Sequence, residues 1–179
     1  MAREIETKCI HLEEEENSIN HYGAISYPIY QSATYAHPGV GQSTGYDYSR
    51  LQNPTREHLE KTVASLENGI DALAFSSGMA AITLMMELFK PGDHLIVDAD
   101  LYGGSIRLFN HVSEKNRIEF SSVDCHNENV AAYIRENTKA VYIETPTNPM
   151  MNVTDIKALA EITKKPVSYT HLRAHETLS

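Results

Sequence analysis

From residue 53 onward the apolar residues switch repeatedly between helical and strand periods, and this alternation limits the possible folds more than any other feature. Asn53-Pro54 reads as a helix start, because Asn caps the first free amides and the fixed φ of Pro suits the first turn. Leu59, Val63 and Leu66 recur at helical spacing, and Gly69 is the expected stop. A short apolar strand is expected from Asp71 to Phe75. Ser76-Ser77-Gly78 then turns the chain into a helix from Met79 to Phe89, which Lys90-Pro91-Gly92-Asp93 breaks. The pattern predicts a strand from His94 to Asp98, a helix from Tyr102 to Lys115 and a strand from Ile118 to Val123. It goes on to a short helix from Val130 to Arg135, a β-branched strand from Ala140 to Glu144 and a helix from Thr154 to Lys164. Strands that alternate with helices pair in parallel, with helices covering both faces of the sheet. The expected class is therefore α/β, and ligands in such sheets sit outside the carboxyl ends of the strands.

Residues 1 to 52 hold no sustained period and are rich in Tyr, Gly, Ser and His, which reads as an extended N-terminal arm that packs on something else, such as another subunit. The net charge of −9, with no Lys/Arg cluster, argues against nucleic acid, whose phosphates need basic side chains. Glu13 to Glu16 is the one charge block and reads as a solvated stretch. Cys9 and Cys125 are far apart and no CxxC spacing exists, so neither a zinc site nor a disulfide framework is expected, and a cytoplasmic setting fits. No leader-like apolar region opens the chain and no run reaches membrane-spanning length, so no membrane association is expected.

The loops that follow strands are where chemistry is expected. Ser76-Ser77-Gly78-Met79 leads into a helix N-terminus, where free amides and the helix dipole attract phosphate; a plain βα turn would read the same way. No GKS or GKT follows it, and Gly39-Val40-Gly41-Gln42-Ser43-Thr44-Gly45 lacks the spacing of a dinucleotide fingerprint. Tyr102 opens a helix after a strand, where its ring either stacks on a flat ligand or simply packs. Arg107 either clamps a carboxylate or lies on a solvated face. Tyr48 and Arg50, two apart, point the same way in extended chain and together either bind phosphate or decorate a surface loop.

Taken in order, YSRLQNPT, FSSGMAAI, DLYGGSIRLF and ETPTNP resemble the pyridoxal-phosphate (PLP) enzymes of cysteine and methionine metabolism over residues 5 to 165. That family includes cystathionine gamma-synthase, the cystathionine lyases, methionine gamma-lyase and the O-acylhomoserine sulfhydrylases. The resemblance implies the large domain of the aspartate-aminotransferase-type fold (fold type I), here incomplete and over residues 53 to 165, in a homotetramer. It implies that Gly78 and Met79 cradle the PLP phosphate, that Tyr102 stacks on the pyridine, and that Asn148 lies near the cofactor's 3′-oxygen. Tyr48 and Arg50 would reach across a dimer to the neighbouring subunit's phosphate, and Arg107 would meet the distal group of an amino-acid substrate.

The family's cofactor-holding lysine and its pyridine-pairing aspartate lie in SATKY-type and VDNTF-type segments, and neither occurs here. Thr138-Lys139 precedes ETPTNP instead of following it, so the lysine's role is not transferred to it and no catalytic residue is assigned. The chain therefore reads as an N-terminal fragment, inactive on its own. From Pro166 to Ser179 the family pattern stops, and that stretch is expected to be a non-native tail; His171, His175 and Glu176 bring no further metal ligands with them. Within the family, Tyr102 to Phe109 is most similar to cystathionine gamma-synthase, whereas methionine gamma-lyases tend to carry Cys where Gly104 stands. The implied reaction joins an activated homoserine ester to cysteine. A lyase or sulfhydrylase is the alternative within the family, and an inactive chain acting only by subunit association is the alternative outside enzymology.

Overall fold

The computed structural model describes residues 4–10, 24, 26–126 and 128–163. The expectations for Glu13 to Glu16 and for residues 166–179 lie outside them. The chain divides into two compact units, residues 1–74 and 75–179.

The first unit holds α1 (Ile5–Ile10) and α2 (Pro54–Leu66). Asn53 caps α2 as expected: its side-chain oxygen accepts from the Thr55 amide at 2.9 Å. The Asn53 side-chain amide also donates to the Tyr30 carbonyl at 3.0 Å and to the Tyr35 hydroxyl and Ser49 Oγ, both at 3.1 Å. One residue thus starts the helix and pins the irregular segment before it. The stop differs by one residue from the expectation. Asn68 takes the left-handed conformation, at φ 54°, and the Gly69 amide closes back on the Ala64 carbonyl at 2.8 Å. Asn tolerates that region because its short polar side chain eases the Cβ conflict.

Asp71 to Phe75 does not form the expected strand. The Ala72 amide is taken by the Asp71 carboxylate and the Ala74 amide by Glu60 Oε1, both at 2.9 Å. A strand exists only by pairing, and among the described residues this segment has no ladder neighbour.

The second unit is a three-stranded parallel sheet in the order β2-β1-β3: β1 (His94–Asp98) lies between β2 (Glu119–Val123) and β3 (Thr138–Tyr142). Every residue of β1 is buried, so the strand is apolar through most of its length and does not alternate. Its side chains still divide between two faces. Leu95 and Val97 join Ile82, Met85 and Met86 of α3 (Gly78–Met86) and Phe109 and Val112 of α4 (Gly103–Asn116). Ile96 joins Val123, Cys125, Val130 and, from α5 (Ile156–Thr163), Leu159. Helices therefore cover both faces. Fully burying a Leu or Ile contributes roughly 1.5–3 kcal/mol each, and Leu95 and Ile96 are both completely buried.

Element ends shift for local reasons. α3 tightens after Met86, where the Glu87, Leu88 and Phe89 amides each bond three residues back. Val130–Tyr133 is a single 3₁₀ turn in place of the expected helix to Arg135. β3 begins at Thr138 and ends at Tyr142, because its pairing with β1 runs from His94 opposite Thr138 to Val97 opposite Tyr142. α5 starts at Ile156, after the Asp155 carboxylate caps the Ala158 amide at 3.0 Å. Gly92 turns the chain into β1 at φ 91°, a backbone region that favours glycine. Among the described residues no helix is long and apolar enough to cross a membrane, and no group of His, Cys, Asp and Glu could hold a metal ion.

Candidate functional site

The start of α3 is an anion-binding geometry. Ser77 is the cap, in extended backbone, and its hydroxyl accepts from the Ala80 amide at 3.1 Å. Its carbonyl accepts from the Ala80 and Ala81 amides. Gly78 and Met79 are the first two residues of the helix, and their amides have no acceptor among the described residues. Two free N–H groups at the positive end of a helix dipole favour a phosphate or carboxylate.

Tyr102 caps α4 without any side-chain bond of its own. A carboxylate two residues past β3 ties down this helix start in another way. Glu144 takes the Tyr102 amide at 2.8 Å, the Ser105 hydroxyl at 2.7 Å and the Tyr142 hydroxyl at 3.0 Å. A carboxylate at that helix start also complements the dipole. Burial, and then the Glu144 charge, push the Tyr142 hydroxyl well above its ordinary pKa, which keeps it a donor. Tyr102 itself stays 42% exposed, so part of its ring is open to a ligand. Its ring leans over Gly104: a Cβ at that position would lie 2.3 Å from Tyr102 Cε1 and 3.1 Å from Met79 Sδ. The Met79 side chain, from the start of α3, and the Tyr102 ring therefore both border Gly104.

The loop after β3 is tied to the loop after β1. Buried Thr147 donates its hydroxyl to Asp100, which also accepts the Met150 amide at 3.2 Å. Thr147 further exchanges bonds with Asn152. Thr145-Pro146 and Asn148-Pro149 are both cis. Asn148 is exposed on this loop, just beyond Thr147. Arg107 is exposed on α4 and its guanidinium folds back toward the helix start, Nη1 lying 3.5 Å from a Cβ placed on Gly103. Asp98, at the carboxyl end of β1, is buried with Oδ2 unpartnered, and burial raises its carboxyl pKa against the pull of the Asp100 and Ala99 amides.

Tyr48 and Arg50 belong to the first unit. They come together differently from the extended-chain expectation. The Leu51 and Gln52 amides both bond the Tyr48 carbonyl, so residues 48–51 form a turn, and this brings the Arg50 guanidinium 5.0 Å from the Tyr48 ring centre. Glu144, Asp100, Thr147 and Gly104 were not singled out from the sequence as site residues.

A parallel sheet with a free-amide helix start and an aromatic ring beside it defines a site for a flat, phosphorylated ligand. The residues fit PLP at both ends: free amides for the phosphate dianion and, bordering the Met79 side chain at Gly104, a ring for the pyridine. The profile of the Cys/Met metabolism PLP-dependent enzymes matches residues 6–172, and the chain belongs to that family. The match includes residues 166–172 of the stretch expected to depart from the family pattern. The chain is 48% identical over 166 residues to the cystathionine gamma-synthase/O-acetylhomoserine (thiol)-lyase of Bacillus subtilis, covering 92% of this chain and 44% of that one. It is 53% identical over 144 residues to the cystathionine gamma-lyase of the same organism, covering 80% and 38%. Among solved structures, metB from Corynebacterium glutamicum superposes with a TM-score of 0.80 at 42% identity, covering 91% of this chain and 43% of that one. The chain thus spans less than half the length of these two curated relatives.

Proposed function

We propose that this chain forms the phosphate- and ring-binding part of a PLP-dependent transsulfuration enzyme whose reaction is that of a cystathionine gamma-synthase, joining an activated homoserine ester to cysteine. The observation that carries this reading is the pair of unpartnered Gly78 and Met79 amides at the start of α3, with the Met79 side chain and the Tyr102 ring both bordering Gly104. When bound, the cofactor supplies an electron sink for the carbon beside the substrate's amino group. Gly78 and Met79 hold its phosphate, Tyr102 stacks on its ring, and Asn148 lies near its 3′-oxygen. Arg107, exposed and without an ion pair among the described residues, meets the substrate's distal group. Tyr48 and Arg50, already paired with each other, reach a neighbouring subunit's phosphate in a homotetramer. Residues 1–52 then act as an arm, 53–165 as part of the cofactor domain, and 166–179 as a tail without a site. The lysine that holds the cofactor and the aspartate that faces its ring nitrogen come from sequence outside these 179 residues. The two free cysteines suit a reducing cytoplasm.

A gamma-lyase is the second reading, favoured by the 53% identity to the Bacillus subtilis gamma-lyase. Product analysis on a chain extended through the lysine and aspartate motifs separates the two: cystathionine from an O-acylhomoserine plus cysteine, against cysteine, a four-carbon oxo acid and ammonia from cystathionine and water. The 179-residue chain with PLP is tested by borohydride reduction and peptide mapping. Faint labels scattered over surface lysines and no turnover above free PLP are expected, as they are if the chain acts only by subunit association. One stoichiometrically labelled lysine would overturn the assignment of that role outside the chain.

A further inference from the structure

We infer that Arg56 is a positioning residue: its guanidinium clamps the turn at residues 48–51 and so fixes where Arg50 stands beside Tyr48. Arg56 is the third residue of α2, where a cation faces the positive end of the helix dipole. Its ion pair with Glu60, at 3.6 Å, puts the cation N-terminal to the acid, the weaker order for an i,i+4 pair; Glu57 and Lys61 form the favoured order one residue on, at 2.7 Å. The helix therefore gives no reason for an arginine at 56, but the turn does. Nη1 donates to the Ser49 carbonyl at 3.3 Å and Nη2 to the Leu51 carbonyl at 2.5 Å. These two carbonyls flank Arg50 in sequence, so one planar fork holds the backbone on both sides of it. The start of the turn is tied by other groups: the Ser49 amide donates to the Ala33 carbonyl at 2.9 Å, and Tyr48 bridges Thr34. Past Arg50, Leu51 is 67% exposed, and besides Arg56 only the bonds of the Leu51 and Gln52 amides to the Tyr48 carbonyl hold this end among the described residues. Without the clamp, Tyr48 keeps its place and Arg50 swings away from it. Each of the three Arg56 nitrogens faces a protein acceptor, whereas Arg50 is exposed and has no ion pair among the described residues. Arg56 thus serves the backbone and leaves Arg50 open to an anion. An Arg50 already held over the Tyr48 ring, at 5.0 Å, loses less freedom on taking up a phosphate than a free one. This last step rests on the cofactor reading; the clamp does not.

The test uses the 179-residue chain as wild type, Arg56→Gln, Arg56→Lys, Glu60→Gln and Tyr48→Leu. NMR without ligand is the first readout. The Arg50 side-chain protons should be shifted upfield by the Tyr48 ring in the wild type and take ordinary values in Tyr48→Leu. Both Arg56 variants should lose about half or more of that shift, because Gln lacks the fork and Lys brings a point charge to one carbonyl. The Tyr35 amide, which bonds the Asp47 carbonyl just before the turn at 3.2 Å, should stay in place and so separate release of the turn from loss of the fold. A shift kept in either Arg56 variant overturns the inference. So does an equal loss in Glu60→Gln, which leaves both carbonyl bonds intact. A Tyr35 amide that moves in both Arg56 variants overturns it as well, because Arg56 then holds the fold and not the turn. Inorganic phosphate, titrated at low salt and followed on the Arg50 Nε–H, is the anion probe. Its binding should weaken about threefold to tenfold in both Arg56 variants; Arg56→Lys keeps the net charge, so lost charge alone does not explain the change. Unchanged phosphate affinity beside a lost ring shift refutes the link from clamp to anion. A wild type that shows no saturation at Arg50 refutes the phosphate role of Arg50 instead, and the resonances then decide the clamp.

Discussion

Acidification should cost this protein stability through His94, one of the few polar side chains in the centre of the sheet. His94 is fully buried at the first position of β1, and its ring joins all three strands. Nδ1 lies 2.7 Å from Thr138 Oγ1 on β3, and Nε2 lies 2.9 Å from Ser121 Oγ on β2. Burial pushes its pKa below the ordinary 6.5; the Arg135 guanidinium adds to the shift and Glu119 opposes it. Arg135 is held close by its own bonds to Ser121 Oγ at 3.1 Å and to Glu119 at 3.2 Å. A depressed histidine pKa means that the unfolded chain takes up the proton first. Above pH 6.5 both states hold a neutral ring and no penalty exists. As pH falls below 6.5 the unfolded state binds a proton that the folded state refuses, so stability drops by about 1.4 kcal/mol per pH unit until the folded pKa is reached. The assay is urea unfolding followed by far-UV circular dichroism at pH steps from 8 to 5, on the wild type and on His94→Gln. Gln keeps one bonding arm but cannot titrate, so at pH 8 it should lose about 1–3 kcal/mol and then fall less steeply with acid. Subtracting the two curves removes His58, whose pKa burial also lowers, and isolates one proton. Equal slopes in the two proteins, or a His94 ring resonance titrating at the ordinary value, would refute the reasoning.

Ser77→Ala removes the cap of α3 and should cost about 1 kcal/mol in thermal unfolding, with weaker pyridoxamine phosphate binding because the helix start frays. Glu144→Gln keeps the shape but loses the charge at the start of α4. About 0.5–2 kcal/mol should disappear, and ultraviolet titration should show the Tyr142 hydroxyl ionising at lower pH than in the wild type. Cys125 is buried, with its thiol pushed up to about 12, whereas Cys9 is exposed. Brief iodoacetamide treatment of the folded protein, read by mass spectrometry, should therefore label Cys9 and spare Cys125, and both should react in urea.

The elements that could be read from the sequence are those whose cause is local. Asn53-Pro54 starts a helix wherever it stands, and so α2 is where its cap puts it. His94 to Asp98 could be read because a run of five buried residues bounded by Pro91-Gly92 has few other uses. Asp71 to Phe75 is as short and also mostly apolar, yet forms no strand, because pairing is supplied by neighbours far away in sequence, and Asp71 and Glu60 take amides that a ladder would use. The same reason shortens β3 at Tyr142: its β-branched run continues to Ile143, but the pairing with β1 does not.

The candidate site divides along the same line. Gly78 and Met79 could be placed at a helix start from the preceding Ser and the apolar run that follows, both of which are local signals. Tyr102 could be placed as well, but its setting could not, because that is made by residues distant in sequence. Glu144 reaches back 42 residues to hold its amide, and Thr147 reaches back 47 to Asp100. These two links bind the loop after β3 to the loop after β1, so the backbones at the carboxyl end of the sheet that carry Tyr102 and Asn148 are joined. It follows that the residues fixing the site are not those a ligand would touch. A Glu with three donors holds the backbone from which the Tyr102 ring projects, and it looks ordinary until its partners on the neighbouring loop are known.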